Sequence, residues 1–330
     1  MTRVRVAFVG KGGSGKTTLS ALFAQVLAAK GLPVLAIDAD INQQLGVALG
    51  LTEEHAAALP AVGAHLDLVR THLRGTNPRI AATSQMLKTT PPGQGSRLLP
   101  FGAPNPISAA LERRVGEVRL LATGPFDPSD LGVACYHSKV GAVELLLNHL
   151  LDGGHEYVVV DMTAGADAFA SGMFTRFDLT VVVAEPTRSG VGVYRQYRRY
   201  AQGYGVRLAV VGNKVRDHDD VEYLRREVGD ALLTWIDQSD HVRAVERGHA
   251  RPVDHLEPEN RSALEEIRAL LDTCTRDWRA YQRHTNEFHR RNAAVWGNQR
   301  AGVDLTTQID PDFDLAQAVA SVHTDGGHGR

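Results

Sequence analysis

The sequence predicts an α/β fold built on a doubly wound, mostly parallel sheet. Short apolar runs alternate along the chain with helical patterns, and this alternation is typical of a parallel sheet covered on both faces. In addition, the glycine-rich segment 10–18 lies directly between such a run, at 4–9, and a helical pattern. Ligands of open parallel sheets bind at the carboxyl ends of the strands, so we expect the functional residues there.

The predicted strands account for most of a domain over residues 1–255. The first strand, at 4–9, ends at the glycine-rich segment, and the second, at 34–37, ends at Asp38-Ala39-Asp40. Further strands are predicted at 66–69, 118–122, 157–161, 179–184, 208–212 and 232–236.

Residues 71–116 interrupt the alternation of strands and helices. The part at 88–96 is rich in turn-forming residues, and the rest holds only scattered apolar side chains. An insertion of this length is typical of a lid, a partner-binding loop or a mobile segment, and a tolerated surface loop is an equally good interpretation.

The C-terminal part of the chain has a different pattern. From Leu264 to Val295 a stripe of mainly apolar residues, with polar Thr285 and Asn292 in it, recurs at spacings of three and four; this predicts one long helix within 256–297, ending near Gly297. This helical C-terminal extension could dock on its own domain, pair across a dimer or hold a partner. Residues 298–330 are predicted to be a mostly flexible tail.

The composition limits the class of protein. The chain has 330 residues, of which 43% are hydrophobic and 22% charged, as in globular proteins. Its net charge of -2 argues against nucleic acid as a partner. Cys135 and Cys274 are too few for a disulfide framework. Because we find neither a signal peptide nor a transmembrane segment, we expect a cytoplasmic protein.

The glycine-rich segment has the pattern of a phosphate-binding loop, G-x-x-x-x-G-K-T. Glycines let successive backbone N–H groups and the helix N-terminus point at a phosphate. Lys16 can reach the β- and γ-phosphates, and the Thr17 hydroxyl is placed to bind Mg²⁺. A tight connection without a ligand does not explain this pattern. The predicted nucleotide-binding residues here are Gly12, Gly13, Ser14, Gly15, Lys16, Thr17 and Thr18.

An additional lysine, Lys11, extends the motif to K-G-G-x-G-K-T-T, which resembles the deviant Walker A motif of the MinD/ParA/nitrogenase-iron-protein superfamily. The resemblance implies a SIMIBI-type P-loop NTPase fold, ATP and Mg²⁺ as ligands, slow hydrolysis, and a homodimer when ATP is bound. It also implies that Lys11 reaches the nucleotide of the partner subunit, where Lys11 and Lys16 stabilise developing charge. Alternatively, Lys11 is a solvated loop residue.

Two acidic strand ends resemble further motifs of this superfamily. Asp38, Asp40 and Asn42 resemble its first switch, which implies that Asp40 orients the attacking water and that Asp38 helps to hold Mg²⁺; helix N-capping is the alternative for either aspartate. The segment D-M-T-A-G resembles the Walker B and second-switch segment. It implies that Asp161 binds Mg²⁺ through water and that the backbone of Gly165 senses the γ-phosphate.

An Asn-Lys pair follows the predicted strand at 208–212. The resemblance implies that Asn213 hydrogen-bonds the base. A guanine reader of the N-K-x-D type needs an aspartate at the position of Arg216, so ATP is favoured over GTP. Asn213 could instead be an ordinary turn residue.

The segment G-V-A-C-Y-H at 132–137 resembles the cysteine segment of CooC-type nickel-insertion ATPases, with His137 at the second cysteine position. Doubled in a dimer, Cys135 and His137 would form a Cys₂His₂ site suited to Zn²⁺ or Ni²⁺. A packed cysteine with a surface histidine, or a reactive thiol at a helix N-terminus, is the alternative.

The best specific resemblance is therefore to the CooC-type branch, which implies metallocentre maturation or metal insertion driven by ATP. One rival is a positioning ATPase of the ParA/MinD kind that binds DNA or membrane. Another is a nucleotide-gated regulator that docks a client or partner protein through 71–116 or the helix at 259–296.

Overall fold

The computed structural model describes residues 4–40, 42–125, 137–152, 156–163, 166–249 and 251–325. The strands, β1 to β10 in chain order, are Val4–Val9, Val34–Ala39, Leu99–Pro100, Arg113–Val115, Val118–Ala122, Leu150–Leu151, Tyr157–Met162, Leu179–Ala184, Leu208–Val215 and Leu232–Asp237. The helices, α1 to α14, are Lys16–Ala29, Leu45–Ala48, Glu53–Ala57, Leu66–Arg74, Pro106–Leu111, His137–His149, Ala166–Ser171, Arg188–Tyr200, His218–Val228, Asp240–Glu246, Pro258–Asp272, Trp278–Asn292, Asn298–Ala301 and Leu315–Asp325.

The main sheet confirms the predicted fold class. Its strand order is β10-β9-β8-β1-β7-β2-β5-β4, and neighbours run parallel except for the antiparallel pair β4–β5 at one edge. β3 and β6 form a separate parallel pair. The crossovers place helices on both faces of the main sheet, as the alternation of strands and helices predicts.

The central strands are buried on both faces, which explains their continuous apolar sequences. Within β1, Val4, Val6 and Phe8 belong to the core cluster that includes α1 and α11. Ala7 and Val9 belong to the opposite cluster, which includes α6 and α8. Successive side chains of a strand point to opposite faces, so one short strand contributes to both cores.

The prediction of a strand at 66–69 is wrong, because these residues form the first turn of α4. Val69 and Leu73 are fully buried at a spacing of four, and they give α4 one apolar face. A short apolar run does not distinguish a strand from the start of an amphipathic helix.

The insertion at 71–116 is a packed part of the domain. It contains β3, α5, β4 and the end of α4. Asn77, Thr89 and Thr90 are fully buried in it although they are polar. Thr90 Oγ1 donates to Gln308 Oε1 at 3.0 Å, and the N–H of Gln94 donates to the Asp310 carboxylate at 2.9 Å. The insertion is therefore fastened to the C-terminal segment.

The prediction of one long helix within 256–297 is corrected by a break between α11 and α12, at residues 273–277. The Asp277 carboxylate accepts the N–H groups of Arg279 and Ala280 at 2.9 and 3.0 Å, so it caps a new helix. α12 passes into a π-helical turn, Ala293–Gly297, and then into α13. The spacing of apolar residues continues across the break, so the sequence pattern gives no sign of it.

A buried ionic network holds this break against the sheet. Arg276 pairs with Asp152 at 2.6 Å and also with Asp178, and Arg5 of β1 pairs with the same Asp152 at 2.7 Å. Burial by itself raises the pKa of Asp152, but Arg276 and Arg5 hold the pKa well below its ordinary value. A buried carboxylate shared by two guanidinium groups fixes where the chain turns, because removing one partner would leave a charge buried without compensation.

The prediction of a mostly flexible tail is also corrected, since residues 305–322 pack on the domain. Leu315 and Val319 of α14 are buried in a cluster with Leu151 and Tyr281. Gln282 donates to the carbonyl of Phe313 at 2.5 Å and accepts the N–H of Leu315 at 2.9 Å. Among the described residues, no helix is both long and apolar enough to cross a membrane.

Candidate functional site

The predicted nucleotide site lies at the carboxyl ends of three central strands. The phosphate-binding loop follows β1. Asp38 lies near the end of β2 and Asp40 directly after it, and Asp161 lies near the end of β7. Asp161 is in register with Phe8 of β1 and with Asp38 of β2. The parallel sheet thus brings together acidic residues that are more than 100 positions apart.

The backbone of the loop requires glycine at specific positions. Gly13 and Gly15 have φ angles of 80° and 90°, a region that disfavours residues with a Cβ. A Cβ on Gly15 would lie 2.1 Å from Asn213 Nδ2, and a Cβ on Gly10 would lie 2.6 Å from the carbonyl oxygen of Val183. Gly12, by contrast, has open space at its Cβ position.

Lys16 lies among the acidic side chains at the start of α1. Its Nζ is 2.5 Å from Asp40 Oδ2 and 4.0 Å from Asp161 Oδ1. Burial lowers the pKa of Lys16, but Asp161, Asp40 and Asp38 outweigh burial and raise it above the ordinary value. Lys16 therefore stays charged, with three N–H donors available for oxygen ligands.

Thr17 and Asp161 form a pair of oxygen donors beside Lys16. The Thr17 hydroxyl donates to Asp161 Oδ2 at 2.6 Å, and Ser20 Oγ is 3.5 Å from Asp161 Oδ1. Burial raises the pKa of Asp161 to about 6, although Lys16 and Thr17 oppose that rise. One hydroxyl and one carboxylate are a donor set that suits Mg²⁺, which takes oxygen ligands and shares its shell with water and phosphate.

Asp38 is engaged with the backbone of the segment that follows β2. Its Oδ1 accepts the N–H of Asp40 at 3.2 Å, and its Oδ2 accepts the N–H of Leu45 at 2.9 Å. Burial, and then Asp161, raise the pKa of Asp38 to about 7. Asp40 accepts the N–H of the exposed Asn42 at 3.0 Å. This hydrogen-bonded turn fixes the position of the Asp40 carboxylate against Lys16.

Asn213 and Lys214 support the phosphate-binding loop from β9. Asn213 Nδ2 donates to the carbonyl of Ser14 at 2.7 Å, and Lys214 Nζ donates to the carbonyl of Gly13 at 2.6 Å. Lys214 also pairs with Glu185 at 2.7 Å. The Asn-Lys pair is visible in the sequence, but no pattern there predicts the contacts of Lys214 with Gly13 and Glu185. Lys214 has a φ of 59°, an uncommon backbone conformation for a residue other than glycine.

Lys11 is exposed at the front of the loop, and its Nζ donates to Ser189 Oγ in α8 at 3.3 Å. Thr18 is half-buried in the first turn of α1. Ser14 is buried, and its Oγ has no hydrogen-bond partner among the described residues. The position of Lys11 leaves its ammonium group accessible to another molecule.

Three of the predicted site residues lie, wholly or with their side chains, outside the part of the chain that the structure describes. Cys135, Gly165 and the side chain of His137 lie outside the described residues, so the suggested Zn²⁺ or Ni²⁺ site and the second-switch glycine stay predictions. Cys274 is described and is buried, and burial raises the pKa of its thiol. Within the described ranges, no three His, Cys, Asp or Glu side chains form a group that could hold a metal ion.

Comparisons with known proteins agree with this geometry. Residues 6–253 match the model of the CobQ/CobB/MinD/ParA nucleotide binding domain. The chain is 25% identical over 243 residues to an uncharacterized ATP-binding protein of Methanocaldococcus jannaschii, covering 72% of this chain and 87% of that protein. It is 27% identical over 231 residues to the carbon monoxide dehydrogenase accessory protein CooC of Rhodospirillum rubrum, covering 67% and 78%.

A solved structure shares the fold. The ParA family ATPase from Chlorobium tepidum superposes with a TM-score of 0.55 at 13% identity, covering 80% of this chain and 97% of that one. The match of the family model extends over most of the chain and includes every motif of the site described above. The chain therefore belongs to the CobQ/CobB/MinD/ParA family of nucleotide-binding domains.

Proposed function

We propose that this protein is a Mg²⁺-dependent ATPase that works as a dimeric nucleotide switch. The observation that carries the proposal is the arrangement of Lys16 between Asp40 and Asp161, with Thr17 bonded to Asp161 at 2.6 Å. Phosphoryl transfer needs cationic groups at the phosphates, oxygen ligands for the metal and a carboxylate near the attacking water. The site contains each of these groups at the end of a glycine-rich loop.

Each residue of the site has a separate proposed role. Lys16 contacts phosphate oxygens through its ammonium donors, and the backbone N–H groups of the loop from Gly12 to Thr18 complete the cradle. Asp40 is buried and held by Lys16 and Asn42, so it can accept a hydrogen bond from a water in one fixed direction. The exposed Lys11 reaches the nucleotide of the second subunit, and Asn213 lies where the base approaches the loop.

Thr17 and Asp161 would hold Mg²⁺, and Asp38 would support its water shell. When bound, the ion would neutralise negative charge on the phosphates. The acidic side chains fit this ligand because Asp38, Asp40 and Asp161 outnumber the one lysine among them. Asp38 also has a structural part, since it orders the segment that carries Asp40.

The role of the switch is proposed to be metallocentre maturation of the CooC kind. The support is the likeness to CooC over two thirds of the chain and the spacing Cys135-x-His137, in which His137 is the first residue of α6. A metal carried by Cys135 and His137 would be cargo for a client enzyme. Its release would be linked to ATP hydrolysis through dissociation of the dimer.

The switch is tested with Asp40→Ala and Lys11→Ala. We expect Asp40→Ala to bind Mg·ATP, to hydrolyse it about 100-fold more slowly or worse, and to remain a dimer in light scattering. Lys11→Ala should bind nucleotide as a monomer. Asp219→Ala, a change of an exposed aspartate in α9, is the matched control and should behave as the native protein. A fully active Asp40→Ala protein would remove the role assigned to Asp40.

The cargo is tested by metal analysis of the ATP-loaded Asp40→Ala dimer, purified without a histidine tag. We expect about one Zn²⁺ or Ni²⁺ per dimer, as for a four-ligand site shared by two subunits. The metal should be lost when Cys135→Ala and His137→Ala are added, and kept when Cys274→Ala is added instead. A dimer without metal in every sample would contradict the maturation role and favour the positioning or partner-docking alternative.

A further inference from the structure

A cavity of about 780 Å³ lies away from the nucleotide site, where the insertion meets the C-terminal segment. Its walls come from α4, from residues 84–88, from α6 and α7, and from residues 291–301. The volume is within the range of small-molecule pockets, roughly 300–1,000 Å³. The part at 291–301 lies beyond the family match, so this cavity is not a feature of the shared nucleotide-binding domain.

The charged residues that line the cavity are all basic. They are Arg70, Lys88, Arg291 and Arg300, and no aspartate or glutamate lines the cavity in the described part of the chain. Arg291 is paired with Glu287 at 2.5 Å, but Arg70, Lys88 and Arg300 have no carboxylate within 4.0 Å among the described residues. The cavity therefore has a surplus of positive charge.

Arg70 has a side-chain N–H group without a hydrogen-bond acceptor among the described residues. Its Nε is buried and has no hydrogen-bond partner among the described residues. Burial, and then the charge of Arg300, lower the pKa of Arg70, while Asp67 acts in the opposite direction. A guanidinium group offers donors in a fixed fork that matches the oxygens of a carboxylate or phosphate. An anion between Arg70 and Arg300 would pair with both guanidinium groups.

The remaining surface of the cavity is largely apolar and includes an unusual backbone. Val295 at the cavity is 79% exposed, and Trp296 beside it is partly exposed. Both lie in the π-helical turn between α12 and α13. Such turns are rare and occur frequently at functional sites. Leu66 of α4 adds further apolar surface.

We propose that this cavity binds a small organic anion that joins an aromatic or apolar body to a phosphate or carboxylate group. The acidic group pairs with Arg70 and Arg300, with Lys88 nearby, and the apolar body lies against Val295 and Trp296. This site is separate from the nucleotide site and does not depend on the proposed ATPase cycle.

The test is calorimetry on the full chain saturated with the non-hydrolysable analogue Mg·AMPPNP, which fills the γ-phosphate position as well and so keeps phosphate probes out of the nucleotide site. The probes are 1-naphthyl phosphate, 1-naphthoate and inorganic phosphate. We expect both naphthyl anions to bind, and inorganic phosphate to bind at least about tenfold more weakly because it lacks the apolar body. The tighter of the two naphthyl anions identifies the acidic group that the site prefers.

Matched variants locate the binding. Arg70→Ala/Arg300→Ala should weaken naphthyl phosphate at least about tenfold, whereas Arg283→Ala/Arg290→Ala removes the same charge from exposed positions of α12 and should have no effect. Arg300→Gln, at an exposed position, should weaken binding by about threefold. Equal loss in both double variants, or no binding of either naphthyl anion, would overturn the proposal.

Discussion

The nucleotide site and the basic cavity differ in charge and in construction. Around Lys16 three carboxylates surround one lysine, so the site is suited to a cation and the polyphosphate that accompanies it. In the cavity three basic groups have no carboxylate within 4.0 Å among the described residues, so it is suited to an anion alone. The nucleotide site is built from the ends of strands in one sheet. The cavity is instead formed where residues 66–88 pack near residues 291–301.

This difference shows how two sites can be independent in one domain. The nucleotide site relies on backbone held at the end of a sheet, where glycine conformation and register fix each group. The cavity relies on packing between segments far apart in the chain, and hydrogen bonds of Thr90 with Gln308 and of Gln94 with Asp310 fasten the insertion to the C-terminal segment. Changes to one site should therefore leave the other intact.

The largest expected effect is that of Lys16→Ala on nucleotide binding. Removal of this ammonium group, which is within 4.0 Å of both Asp40 and Asp161, leaves carboxylates facing the phosphates. We expect affinity for Mg·ATP to fall about 100-fold or more, measured with a fluorescent ATP analogue. Binding of 1-naphthyl phosphate should be unchanged. A parallel loss of both activities would contradict the independence of the two sites.

A second prediction concerns Glu144 in α6, whose neighbours Gly141 and Leu145 line the cavity. Burial raises the pKa of Glu144 to about 7, although Lys88 and Arg176 oppose the rise. The folded pKa lies above the unfolded value of 4.5, so the stabilising contribution is complete below pH 4.5 and is lost as the pH rises through about 7. Glu144→Gln should remove this dependence.

Urea unfolding at pH 5 and pH 8 measures the effect. Between these values the free energy of unfolding of the native protein should fall by about 2 kcal/mol relative to Glu144→Gln. Glu246→Gln, at an exposed position of α10, is the control and should follow the native protein. Identical pH profiles for all three proteins would show that Glu144 stays ionised when folded.

The third prediction compares two glycines of the phosphate-binding loop. Gly15→Ala places a Cβ at a φ of 90° and 2.1 Å from the Asn213 amide, whereas Gly12→Ala meets open space. We expect Gly15→Ala to lower the free energy of unfolding by about 1 kcal/mol and to weaken ATP binding about tenfold. Gly12→Ala should leave stability unchanged. Equal stability losses in thermal unfolding would contradict the geometry of the loop.

The smallest effect is expected at the rim of the cavity. Because Val295 is 79% exposed, Val295→Ser should change the free energy of unfolding by less than about 0.5 kcal/mol. If the apolar body of the ligand lies on Val295, affinity for 1-naphthyl phosphate should still fall about two- to threefold in calorimetry. ATP binding is the internal control and should not change. An unaltered affinity would place the apolar body elsewhere in the cavity.

The sequence by itself determined the fold class and the main parts of the nucleotide site. Each of its motifs is short and lies at or near the carboxyl end of a strand, so the local sequence contains the necessary information. Parallel strands then bring Lys16, Asp40 and Asp161 to one edge without any further specification. Asn213 lies near the loop for the same reason, since it is also close to the carboxyl end of a parallel strand. Its hydrogen bond to the carbonyl of Ser14, however, could not be predicted from the sequence.

Other features depended on the tertiary structure. The run at 66–69 is compatible with a strand or a helix until its neighbours are known, and the break at 273–277 is set by Arg276 entering a buried network with Asp152 and Asp178. The contacts of Lys214 and the basic cavity join residues about 200 positions apart. No local pattern encodes such contacts, because they form only when separate segments pack against each other and share buried charge and apolar surface.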